Sequence, residues 1–284
     1  MIDAGRNGLT LVVALLGAAN AILRPVTASI HELGLTVAAG STFGINPAVW
    51  VGLALAFFGL HAKAREPLTR RDLILTSGVL AGLTIPSTTA SWLVLAGYAA
   101  LLVRDARLEP AQRVGALILL VTALRDPVVS ATMHLLNEPL LALDAALAAA
   151  ALAPFVAGVH AEGNLVLGPD GARLVILTSC SSLANLSYAL LFWFTVSLTL
   201  LPRLDWYAWS AAGAIACMLV AQNVARLALM ATSDAGYEVI HGPSGRQVFE
   251  ALMLLMVTGF TLLGVRYALA KQSRDRAAFA SRSA

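Results

Sequence analysis

The sequence predicts an all-α polytopic membrane protein with about eight transmembrane helices, a set of outer-face helices and a small extracytoplasmic β-hairpin. Three observations carry this. Hydrophobic residues fill 58% of the 284 positions and charged residues only 12%, about half the roughly 25% charge of an ordinary soluble domain. So few charges cannot cover a water-exposed surface. Apolar runs recur at or near the roughly 17–25 residues that a crossing helix needs, and Lys and Arg gather in the links between them.

Taken in order, apolar runs near 8–24, 46–62, 72–87, 88–104 and 108–125 form an N-terminal helical part, 8–125. The first run lacks a small-x-small exit, so it reads as the first of many crossings rather than a cleavable signal peptide. Residues 126–159 are interrupted by Asp126-Pro127 and Asn137-Glu138-Pro139, and they hold Asp144 inside an Ala/Leu run. The piece 128–136 is too short to cross, so 126–159 is expected to lie on the outer leaflet or dip into it. In 160–176 the runs NLVL and ARLVI flank Gly168-Pro169-Asp170-Gly171. Pro presets φ at the second turn position and Gly permits positive φ at the end, which predicts a β-hairpin. Runs near 180–201, 207–231 and 247–269 make a second helical part, 177–270, and 271–284 reads as a flexible cytoplasmic tail. The whole chain reads as one integral membrane domain.

Orientation follows from the basic residues. Lys63, Arg65, Arg70 and Arg71 share one link, and Arg104, Arg107 and Arg113 the next. Arg266, Lys271, Arg274, Arg276 and Arg282 follow the last run. Placing these inside brings Arg6 and Arg203 inside as well, fourteen of nineteen basic residues, and leaves Arg24, Arg125, Arg173, Arg226 and Arg246. Both termini are therefore expected in the cytoplasm, with the hairpin outside. The pI of about 9.1 reflects these links, so the expected surroundings are lipid and not nucleic acid.

The residues that could carry chemistry lie in the second half. Thr178 or Ser179 is the expected N-cap of the helix over 180–201. That would put Cys180 in its first turn, where free N–H groups and the helix dipole favour a thiolate. Cys217, mid-helix among Ala, Ile and Met, reads as a small buried hydrophobe, and two cysteines make no disulfide framework. Arg226 sits among apolar residues, where an arginine costs about 2.5–3.5 kcal/mol on the gentler insertion scale. It could snorkel to the headgroups. Asn223, three residues earlier, shares its helical face, and two polar groups on one face of an apolar helix argue for a bundle interior. His241 follows in a loop on the same side. A thiol, an imidazole and a fixed cation at one level are the parts of a cysteine acyl-transfer site. Glu250 could pair with Arg246 four residues earlier or with Arg226 across the bundle, and the local pairing is the expected one. The remaining histidines, His31, His61, His134 and His160, are scattered with no HExxH, CxxC or Gly-rich phosphate loop, so neither metal nor cofactor is expected.

This arrangement resembles the exosortase/archaeosortase family over residues 137–250. The resemblance is carried by Gly163-Asn164 before the hairpin, Cys180-Ser181-Ser182-Leu183, Asn223-Val224-Ala225-Arg226-Leu227, and His241 with Gly242 and Gly245. The chain departs from it at Ser182, where the family usually has Gly, and at Ala184, where a basic residue is frequent. The resemblance implies a membrane-embedded cysteine transpeptidase or protease. Its partners would be exported proteins whose C-terminal sorting signal is a short motif, a hydrophobic helix and a basic tail. It implies Cys180 as nucleophile with Arg226 and His241 as its partners, supported by Asn223, Ser181, Ser182 and Gly242. A non-enzymatic alternative is a transporter or polysaccharide-export subunit in which Arg226 binds an anionic solute. A transporter would be expected to show two related halves with broken helices, and no such symmetry is visible in the sequence.

Overall fold

The computed structural model describes residues 5–61, 66–168 and 173–282. Its helices are α1 (Arg6–Leu33), α2 (Leu35–Gly40), α3 (Pro47–Leu60), α4 (Arg70–Leu83), α5 (Thr88–Val103) and α6 (Pro110–Leu152), then α7 (Ser182–Leu200), α8 (Trp206–Met230), α9 (Asp234–His241) and α10 (Pro243–Arg282). Strands β1 (His160–Glu162), β2 (Leu165–Leu167) and β3 (Arg173–Val175) lie between α6 and α7. Each expected crossing run falls on a helix. Among the described residues five helices are long and apolar enough to cross a membrane: α1, α6, α7, α8 and the Ser244–Arg276 part of α10. The α3 and α4 helices have 14 residues and α5 has 16. At 1.5 Å per residue they reach only about 21–24 Å, short of the roughly 30 Å hydrocarbon core. Phe58 (78% exposed), Ile74 (71%) and Leu255 (71%) face outward, as lipid-contacting side chains would.

The chain forms two compact units, the first made of Met1–Val128 with Phe194–Thr199 and the second of Val129–Trp193 with Leu200–Ala284. In the first, α1 packs on α3, α4 and α5. The α3 and α6 helices approach closely because glycines face each other. A Cβ on Gly59 would lie 2.8 Å from the Gly115 Cα, and one on Gly52 would lie 2.6 Å from the Thr122 hydroxyl. Small residues at such a crossing let backbones meet without a hydrophobic driving force. One end of this unit is pinned by ion pairs. Arg6 is 2% exposed and binds Glu66 (2.7 Å), Asp72 (3.3 Å) and Asp105 (2.6 Å). Arg107 binds Asp72 and Asp105 as well, and Asp72 closes a capping box with Thr69 on α4. Every buried charge named here has an opposite partner, as burial of an ion requires.

In the second unit the apolar core joins Leu141, Ala145, Ala148 and Leu152 of α6, Val166 and Leu174 of the sheet, Ile176, and Leu227, Ala228 and Met230 of α8. The α8 and α10 helices pack along each other, with Gly264 accepting the Cβ of Ala211 at the crossing. The expected hairpin is larger than predicted. β2 and β3 pair antiparallel with Leu165 opposite Val175, and β1 adds a third strand through a turn at Gly163 (φ 56). The turn residues at 169–172 lie outside the described residues.

Two further expectations are corrected. Asp126-Pro127 does not end a helix: α6 runs through it and departs from helical geometry at Leu136 (φ −124, ψ 19). The break serves Pro139, whose ring would otherwise meet the carbonyl four residues back, at Leu135. The expected flexible tail is helical to Arg282, and Lys271 and Asp275 pair one turn apart at 2.9 Å.

Candidate functional site

The segment carrying Cys180 leaves β3 at Ile176 and closes a single 3-10 turn, Thr178–Cys180, with the Cys180 N–H on the Leu177 carbonyl at 2.8 Å. Thr178 Oγ1 donates to Asn137 Oδ1 at 3.2 Å. Ser181 then takes an extended conformation (φ −68, ψ 140), and its hydroxyl accepts the Leu183 N–H at 3.2 Å. Ser181 is therefore the cap of α7, in place of Thr178 or Ser179, and Cys180 precedes the helix instead of standing in its first turn. Two N–H groups of that turn already have oxygen acceptors, Ser181 Oγ on Leu183 and Asp144 Oδ2 on Ser182. The polar side chains near Cys180 belong to other helices.

Those come from α8 and α9. Asn223 is 5% exposed, and its Nδ2 lies 3.0 Å from both the Cys180 carbonyl and the Ser182 hydroxyl. Arg226, one turn on, points the same way. Its guanidinium carbon lies 6.0 Å from the Phe249 ring centroid, and its buried Nε has no hydrogen-bond partner. Gln222 Nε2 donates to the Phe249 carbonyl at 2.7 Å, joining α8 to α10.

His241 ends the short helix α9, which replaces the expected loop. The helix starts at Ser233, whose hydroxyl accepts the Gly236 N–H at 3.0 Å. Tyr237, four residues before His241, stacks on the imidazole with centroids 4.8 Å apart and planes 13° from parallel. The imidazole Nδ1 is buried without a hydrogen-bond partner. The His-Gly-x-x-Gly pattern has a packing reason. A Cβ on Gly242 would stand 2.6 Å from the Glu238 carbonyl oxygen, and one on Gly245 would overlap the carbonyls of Val239 and Ile240.

Cys180, Arg226 and His241 line one cavity of about 330 Å³, with Asn185, Gln222, Asn223, Arg246 and Glu250 as its other polar walls. Two guanidiniums against one carboxylate favour an anionic or oxyanionic guest. Among the described residues Glu250 forms an ion pair with neither Arg246 nor Arg226. Among the same residues no group of three or more His, Cys, Asp or Glu is placed to hold a metal ion.

Of the supporting residues, Asn223 lines the cavity, while Ser181, Ser182 and Gly242 act from behind it through the cap, the hydrogen bonds to Asn223 and Asp144, and the α9–α10 junction. Sequence reasoning missed Asn185, Gln222 and the cavity-facing role of Arg246, which carry no local signal. It also placed Asp144 only as an acid inside an Ala/Leu run on the outer leaflet. Asp144 is 4% exposed and accepts from Ser182 N at 3.1 Å and Ser182 Oγ at 2.6 Å. A single carboxylate in an apolar run is itself a sign of a polar partner inside the bundle. Comparison with protein-family models, curated proteins and solved structures finds no match for the chain.

Proposed function

We propose that this protein is a membrane-embedded cysteine transpeptidase or protease of the exosortase/archaeosortase type. The observation that carries the reading is that Cys180, Arg226 and His241, from three separate elements, line one cavity. The Cys180 thiolate attacks the carbonyl carbon of a scissile peptide bond. Arg226, whose Nε has no partner of its own, stabilises the oxygen as it gains charge. His241 takes the thiol proton and returns it to the leaving amine as the C–N bond breaks. The thioester that remains is released to an acceptor amine, hydroxyl or water, which displaces the thiol.

In this reading the substrates are exported proteins with a C-terminal motif, a hydrophobic helix and a basic tail, and the acceptor lies at the cell surface. The chain crosses the inner membrane about eight times, the short α3, α4 and α5 being accommodated by local thinning of the bilayer, with both termini in the cytoplasm and the cavity opening toward the outer face. The test is cleavage of a reporter bearing such a tail, in membranes containing the wild-type chain or Cys180→Ala. Cleavage and a trappable acyl-enzyme adduct with the first, and neither with the second, support the reading. Equal cleavage by both ends it.

A further inference from the structure

We propose that Asp144 is a positioning residue for Cys180, holding through Ser182 and Asn223 the backbone that carries the thiol. This rests on Cys180 being the nucleophile.

Asp144 lies on α6 in an Ala/Leu run and is 4% exposed. A buried carboxyl group needs hydrogen-bond partners, and both its oxygens have them. Oδ2 accepts the Ser182 N–H at 3.1 Å, and Oδ1 accepts the Ser182 hydroxyl at 2.6 Å. A hydroxyl has one proton to give. Having given it to the carboxylate, Ser182 Oγ can meet Asn223 only as an acceptor, and Asn223 Nδ2 stands 3.0 Å away. The same Nδ2 donates to the Cys180 carbonyl at 3.0 Å. The chain of donors therefore has one direction, Asn223 to Ser182 to Asp144, and a branch that ends on the cysteine.

Three helices meet at this point. The α7 helix already has its cap in Ser181, so Asp144 is not needed to start it. What the carboxylate adds is a fixed orientation for Ser182, and hence for Asn223. Because Asn223 and Arg226 share a face of α8, tying Asn223 to the Cys180 carbonyl sets where the guanidinium stands relative to the thiol. Without Asp144 the Ser182 hydroxyl is free to turn its proton toward Asn223, where two donors would then face each other.

The test uses the full chain in native membranes and needs no substrate. Iodoacetamide labelling of Cys180 is measured by peptide mass spectrometry against Cys217 as internal reference. In the wild type Cys180 should label faster. Asp144→Ala should lower the Cys180-to-Cys217 ratio, by up to about 10²-fold if the thiol and guanidinium move apart by an ångström. Ser182→Ala, which keeps the N–H bond to Asp144 but removes the hydroxyl, should lower it too. Their effects should be non-additive in the double variant, since both break one chain. Asp144→Asn keeps an acceptor for the hydroxyl and should recover part of the ratio. A general loss of structure would move both cysteines together. An unchanged ratio in Asp144→Ala and Ser182→Ala overturns the positioning role, as do additive losses or an Asn variant no better than Ala; all of these leave the nucleophile reading standing. A wild-type Cys180 no faster than Cys217 removes that reading itself, and this proposal with it.

Discussion

Arg226 faces the ring of Phe249, with its guanidinium carbon 6.0 Å from the centroid. A cation held by an aromatic face keeps its N–H groups for other partners, because the ring accepts through its π-cloud and not along the N–H directions. The Nε without a partner fits a guanidinium kept free for a guest. Arg226→Lys retains the charge but loses the planar fork. Its cleavage rate should fall by about 10²–10³-fold, the loss seen when one oxyanion donor is removed. Phe249→Leu should cost less, since it loosens the arginine without removing it. Rates of reporter cleavage in membranes, normalised to protein present, check both.

Cys180 and Cys217 should differ sharply toward a small polar alkylating reagent. Cys180 is half-buried beside the cavity, whereas Cys217, expected to be buried, is exposed on an apolar stretch of α8, a surface that lipid would cover. Faster labelling of Cys180 in intact membranes is the expected result. Detergent extraction should then raise Cys217 labelling more than that of Cys180. Equal, slow labelling of both in membranes would mark Cys180 as a structural thiol.

The orientation prediction rests on fourteen basic residues placed inside against five left over. Reporter fusions at residue 168 and at the C-terminus should report opposite sides of the membrane. The same side for both would separate the sheet from the side assigned to it and remove the outward-facing cavity.

What could be read in the sequence divides by physical cause. The apolar runs were legible because a crossing helix needs a length and composition that little else produces, and each run falls on a helix. Asn223 and Arg226 could be paired because i and i+3 share a face in any helix. The break at Leu136 was not legible: the two Asp/Glu-Pro neighbourhoods look alike in sequence, and α6 departs from helical geometry only before Pro139. Ser181 as the cap was hidden among four adjacent hydroxyl-bearing candidates, each able to cap in isolation. The role of Asp144 depends on Ser182, 38 residues on, and α9 is too short for periodicity to declare it. The lengths of α3, α4 and α5 likewise depend on neighbours that fix where each helix ends.

The ion-pair cluster at one end of the first unit should make stability depend on acid. Asp105 lies in the turn between α5 and α6, where the hydrogen bond from Arg107 holds its carboxyl below the ordinary 3.8, against the opposing effect of burial. A carboxylate with a depressed folded value stabilises the fold fully above its unfolded pKa. That contribution is lost as pH falls through the folded value. The thermal midpoint of the purified protein in detergent should therefore drop as pH is lowered below about 3.9. Arg107→Gln removes the donor that causes the depression. It should be less stable at pH 7 and show a shallower fall over the same acid range. A parallel fall in both would mean that Asp105 does not sense Arg107.

The roles of His241 and Tyr237 can be separated by what each variant leaves behind. In the proposed mechanism His241 supplies both proton transfers, so His241→Ala should slow cleavage by about 10²–10⁴-fold, the usual cost of losing a general acid–base group. The thiol remains beside Arg226, so slow acylation persists and the adduct should still be trappable. Tyr237 stacks on the imidazole at 4.8 Å and is not among the residues lining the Cys180 cavity, so it supports the ring from outside that cavity. Tyr237→Phe keeps the stacking face and should leave the rate close to wild type, whereas Tyr237→Ala frees the imidazole to rotate. The loss in Tyr237→Ala should be smaller than in His241→Ala, and adding it to His241→Ala should cost little more, because the ring it supports is gone. The measurement is single-turnover cleavage of a tail-bearing reporter in membranes across the four variants. Full activity in His241→Ala would remove the imidazole from the mechanism. A Tyr237→Ala loss that simply adds to that of His241→Ala would give the tyrosine a role of its own.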